Sequence, residues 1–119
     1  MKLKHIINTL TILLLLSSAN ATAQTSPLSS KSKKAVSMFT EAINYYNQKD
    51  FPKAMRILDK ATQEDPAFVE AFILKGDILS EEQYPREAIV QYKKGIAANP
   101  DFSPVLYFIV ANVELLTIK

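Results

Sequence analysis

The feature that most constrains this chain is a repeat. Asp65-Pro66 is echoed 34 residues later by Asn99-Pro100. At the same offset Ala42 matches Gly76, Ala54 matches Ala88, Leu58 matches Tyr92 and Ala61 matches Gly95. A fixed period of this length marks stacked helical units, each burying its apolar face against a neighbour rather than in one central core. The expected fold is therefore all-α, and arrays of this kind bind other molecules and seldom catalyse.

Apolar spacing supports a helical reading from Lys33 onward. A first helix is expected from Lys33 to Gln48, with Met38, Ala42 and Tyr45 on one stripe and Val36, Phe39, Ile43 and Tyr46 on a second. Two stripes require neighbours on more than one side. Asp50 is placed to cap a second helix, Pro52 to Glu64, with Pro52 in its first turn and Ala54, Ile57, Leu58 and Ala61 inward. Asp65 is expected to cap a third helix with Pro66 at its first position. Gly76 lies inside that helix and costs ~1 kcal/mol relative to Ala, so the next helix is expected to pack on its bare backbone. Gln83 to Pro85 reads as a turn. A fourth helix then runs to about Asn99 with Ala88, Ile89, Tyr92 and Ile96 inward, and a fifth starts near Pro100 or Ser103-Pro104.

The N-terminus reads differently. Lys2, Lys4 and His5 precede an apolar run from Ile6 to Leu16, and Ala21-Thr22-Ala23 fits the small-x-small rule for cleavage before Gln24. Ala19-Asn20-Ala21 is a second candidate. The run is shorter than the roughly 20 apolar residues of a membrane span. Residues 1–23 are thus expected to be a signal peptide, and the Ser/Thr-rich residues 24–32 a flexible linker. With no Cys in the chain, a lipid anchor on cysteine is excluded.

Cleavage changes what the composition implies. Of 14 basic residues, Lys2 and Lys4 leave with the signal, so 12 basic residues face 12 acidic ones. The mature chain is neutral and gives no basis for nucleic-acid binding. His5, the one histidine, also leaves. Without His or Cys there is no thiol nucleophile, no imidazole base and no usual zinc or copper ligand set. With two glycines in the chain there is no Gly-rich phosphate loop. No cofactor is expected, and carboxylate-only chemistry, such as Asp77 with Glu70 or Glu81, is the one enzymatic route left.

Helix pairs of 34 residues with this small–bulky–small punctuation resemble the tetratricopeptide repeat (TPR) family. Phased on Pro66 and Pro100, the repeats span 35–68 and 69–102, with a partial third at 103–119. The small positions are Ala42, Ala54 and Ala61 in the first repeat and Gly76, Ala88 and Gly95 in the second. Tyr45 fills the family's first-helix aromatic position, where the second repeat has Leu79. Phe51 is the turn aromatic, whereas Tyr84 falls one position early, which points to a locally different turn. The resemblance implies a right-handed α-solenoid of two full repeats plus one extra helix.

The segments FVEAFILKGDIL and YPREAIVQYKKGIAANPDFSPVLYFIVANVELL, with the leader, are similar to the N-terminal module of large Bacteroidetes envelope proteins. Those proteins also carry β-propeller repeats and a C-terminal peptidoglycan-binding domain. This resemblance implies a periplasmic or outer-membrane-associated scaffold. Neither downstream domain lies in this sequence, so cell-wall binding is not carried over.

In the TPR family the first helix of each repeat lines a concave groove. By position, the groove residues here are Val36, Phe39, Ile43 and Tyr46, then Glu70, Ile73 and Asp77 (with Ser80), then Tyr107 and Glu114 (with Pro104 and Ala111). Family members that clamp a peptide carboxylate use basic residues at such positions, and this set has none. The implied partner is an extended or helical peptide with apolar anchors and a basic residue. The last helix, with apolar residues from Val105 to Ile118, is apolar nearly all round and makes a poor polar cap. It is expected either to meet a helix further along a longer protein or to be covered by another chain or a second copy. The function read from the sequence is a non-catalytic protein–protein interaction scaffold, with self-association through the last helix as the alternative.

Overall fold

The computed structural model describes residues 27–118. The expected signal peptide and residues 24–26 lie outside the described residues.

The fold is all-α. Five helices follow one another: α1 Lys33–Asn47, α2 Phe51–Glu64, α3 Val69–Glu81, α4 Pro85–Ala98 and α5 Pro104–Thr117. Each packs against the next along the chain. α1 and α2 are antiparallel. Lys34 at the start of α1 pairs with Glu64 at the end of α2, at 3.1 Å, and Tyr46 at the end of α1 meets Phe51 at the start of α2. α3 and α4 repeat this arrangement, with Gly76 against the Tyr92 ring and Gly95 against Phe72 and Val69.

The 34-residue period extends to the backbone of the turns. Lys49 and Gln83 both have positive φ, 61° and 69°. Around them Gln48 N–H donates to the Asn44 carbonyl as Glu82 does to Ile78, Lys49 to Tyr46 as Gln83 to Ser80, and Asp50 to Tyr45 as Tyr84 to Leu79. The expectation of a different second turn is therefore corrected. The early Tyr84 changes only what the side chain packs on: Phe51 stacks near Tyr46, while Tyr84 is exposed.

The turns between repeats also match. Asp65 accepts from Ala67 N–H through its side chain and from Phe68 N–H through its carbonyl, and Asn99 does the same with Asp101 and Phe102. This corrects the reading of Asp65 and Pro66. Asp65 closes α2 and forms a local side-chain turn, Pro66 sits in that turn, and α3 begins only at Val69. Asp50 does cap α2, accepting from Lys53 N–H at 3.3 Å.

The core is split as the repeat predicts. One cluster holds Phe39, Ala42, Ala54, Leu58, Phe68, Ala71 and Ile78 between α1, α2 and α3. A second holds Val69, Ala88, Ile89, Tyr92, Leu106 and Val110 between α3, α4 and α5. Burial of each large apolar side chain contributes about 1.5–3 kcal/mol. Lys75 is buried where α3 meets α2, and its Nζ lies 2.6 Å from Asp59 Oδ1. A buried charge is tolerable only with such a partner.

A small position and the bulky position paired with it differ in compensating directions between the repeats. Where the first repeat has Ala42 with Leu58, the second has Gly76 with Tyr92. The larger ring takes the space of the missing methyl, as the close approach of Tyr92 to Gly76 shows.

Candidate functional site

α1 and α3 lie side by side and run in the same direction. Ser29, just before α1, reaches Glu70 at the start of α3, and Ser30 reaches Asp65 in the turn that leads into α3. At the far end Tyr46 of α1 donates to Glu81 of α3. The shallow groove between them encloses about 310 Å³ and is lined by Phe39, Ile43, Tyr46, Asn47, Glu70, Ile73, Leu74 and Asp77.

Six of the expected groove residues therefore line one surface: Phe39, Ile43, Tyr46, Glu70, Ile73 and Asp77. Val36 does not line it and packs against the first core cluster instead. Tyr107 and Glu114 lie apart on α5. Tyr107 donates to the Pro100 carbonyl at 3.1 Å, and Glu114 pairs with Lys93 of α4 at 2.5 Å. Asn47 and Leu74 were missed by the sequence reading. The signal for Asn47 was its place one turn after Ile43 on the same face.

Phe39 has a double role. Its ring is 9% exposed and meets Phe68 edge-on at 5.0 Å between centroids, so it is core as well as groove floor. Tyr45, expected in the core, is half-buried; one side packs on the core and the other carries Lys53 Nζ at 5.4 Å from the ring centre. It lines a second hollow of about 220 Å³ with Lys53, Arg56, Ile57 and Lys60.

The groove carboxylates differ in their engagements. Glu70 is held at both oxygens by Ser29, through the backbone N–H at 2.8 Å and through the hydroxyl. Ser29 Oγ also accepts from Val69 N–H at 3.1 Å, and the Ser30 hydroxyl donates to Asp65 at 2.5 Å. Within the segment expected to be flexible linker, Ser29 is thus strapped onto the start of α3 and Ser30 onto the turn before it. Glu81 accepts from Tyr46 and from Lys49 Nζ. The Tyr46 hydrogen bond first, and the Lys49 bond next, hold its carboxyl below the usual range. The same bond to Glu81, followed by burial, raises the Tyr46 phenol.

Asp77 stands apart. It accepts from the Tyr92 hydroxyl at 2.7 Å, its one partner among the described residues. Burial, followed by the nearby Glu81 charge, raises its carboxyl above the usual range against the lowering effect of the Tyr92 bond. Burial and then that same hydrogen bond push the Tyr92 phenol far upward. Among the described residues no group of three or more His, Cys, Asp or Glu side chains is arranged to hold a metal. None of the described helices is long and apolar enough to cross a membrane.

No protein-family model matches the chain, and no curated protein matches it.

Proposed function

We propose that this chain is a non-catalytic interaction module of the TPR type, exported across the inner membrane. It acts in the periplasm or at the outer membrane by holding a peptide or partner helix between α1 and α3. The observation that carries the reading is the groove itself, which sets apolar side chains of two successive repeats beside carboxylates. Its volume is at the lower end of the roughly 300–1,000 Å³ typical of ligand pockets, which suits one or two anchoring side chains of a longer partner. Export rests on the leader sequence, and the TPR assignment on the 34-residue period.

Site-specific photo-crosslinking in envelope preparations tests this proposal. A photoreactive residue at Ile43 is expected to capture one protein that purified chain then binds directly, while the same group at exposed Arg86 captures none. Equal capture from both positions, or none from Ile43, would remove the groove assignment.

A second reading is self-association through α5, favoured by its exposed apolar residues. Phe108 is 69% exposed and Leu116 77%. A stable monomer across all concentrations in sedimentation would exclude it.

A further inference from the structure

The groove between α1 and α3 has a charge requirement that the proposed function does not specify. Its eight lining residues include two carboxylates and no lysine or arginine. Cations on the neighbouring segments are engaged away from it: Lys49 pairs with Glu81 at 3.0 Å, Lys75 with Asp59 at 2.6 Å, and Lys53, Arg56 and Lys60 lie around the separate hollow on Tyr45.

The carboxylates also divide by function. Glu70 is consumed by the Ser29 strap at one end. Glu81, beyond the other end, is consumed by Tyr46 and Lys49. Asp77 lies between them with only the Tyr92 hydroxyl on Oδ1. Both oxygens of Glu70 and of Glu81 are thus engaged, whereas Asp77 Oδ2 has no hydrogen-bond partner among the described residues and is left to accept from a ligand. A half-buried anion with spare acceptors beside Ile43, Ile73 and Leu74 matches a side chain with an aliphatic stem and a cationic head.

We infer that the groove selects a peptide segment bearing a lysine or arginine flanked by apolar residues. The cationic head pairs with Asp77, and the stem and its neighbours lie on Ile43, Ile73 and Leu74. The strap at Glu70 and the Tyr46–Glu81–Lys49 cluster limit the groove at either end, so one cation is read per site. This inference rests on the groove reading above and adds its specificity.

Panning a phage-displayed random heptapeptide library against the purified chain tests it. Recovered sequences are expected to be enriched in lysine or arginine between apolar residues. A synthetic peptide of the recovered consensus should bind about tenfold more weakly to Asp77→Asn, in line with a charge-assisted hydrogen bond. Its lysine-to-glutamine version should bind wild type and Asp77→Asn alike. Recovered peptides that lack basic residues, or binding unaffected by Asp77→Asn, would overturn the charge inference while leaving the groove in place. Recovery of no sequence, or of sequences whose binding is unchanged by Ile73→Ala, would overturn the groove reading and the inference together.

Discussion

Gly76→Ala is expected to destabilise the protein, although alanine is the better helix former. A Cβ at position 76 would stand 2.4, 2.7 and 2.8 Å from three atoms of the Tyr92 ring. The ring has little room to retreat, being 3% exposed within the second core cluster and tied by its hydroxyl to Asp77, on the same helix as Gly76. Overpacking of a filled core costs ~1–3 kcal/mol, and contact with three ring atoms at once argues for the upper end. Helix propensity returns ~1 kcal/mol. The net expectation is a loss of about 2 kcal/mol, read as a lower urea midpoint in far-UV circular dichroism at unchanged slope. Gly95→Ala is the internal control. Its Cβ would meet Phe72 and Val69 atoms at 3.5–3.6 Å, ordinary contact, so the propensity gain of ~1 kcal/mol should appear unopposed. The decisive comparison is Gly76→Ala in a Tyr92→Leu background, which rebuilds the Ala42–Leu58 pair of the first repeat. There the alanine should stabilise. If Gly76→Ala has the same sign in both backgrounds, the close approach of Tyr92 is not the reason for the glycine.

The Asp77 carboxyl is raised in the fold, so its stabilising contribution is complete below the ordinary value of 3.8 and is lost as pH rises through the raised one. Asp77→Asn, which keeps an acceptor for Tyr92, should therefore gain stability over wild type as pH rises from about 4 to 7; a gain confined to acid would contradict this. Phe39→Ala should cost about 3–5 kcal/mol in urea unfolding, because the ring is core as well as groove floor. Ser30→Ala should cost about 1 kcal/mol by removing the donor to Asp65, with amide exchange at residues 29–32 rising before that of α3. Phe108→Ser should leave stability within about 0.5 kcal/mol, since the ring is mostly exposed.

The helices and the split core were legible in the sequence because the period places small residues opposite large ones in both repeats. The error at Asp65 arose because Asp-Pro is as good a turn opener as a helix start, and nothing in the local residues separates the two. The turn at Tyr84 was misjudged because aromatic position was used as a proxy for backbone geometry, while the hydrogen bonds depend on the length of the turn and the positive φ of Lys49 and Gln83. Six of the eight groove residues were reached by family position, and three of them, Phe39, Ile43 and Tyr46, also lie on the second apolar stripe of α1. The state of the groove carboxylates was not readable, since Ser29 lies 41 residues from Glu70 and no periodic signal links them. Tyr107 and Glu114 were carried onto the groove by position alone, and α5 uses them instead to hold its own turn and α4.

The matching turns have a consequence for how such a chain can grow. Because the joints at Lys49 and Gln83 form the same hydrogen bonds, residues 51–84 are a module bounded by superimposable seams. A second copy of that segment spliced in after Tyr84 would meet the backbone partners it expects at each end. It would also lengthen the row of α1- and α3-type helices by one. Recognition length in this architecture is then set by the number of modules, whereas recognition chemistry is set by the few side chains each module turns toward the row.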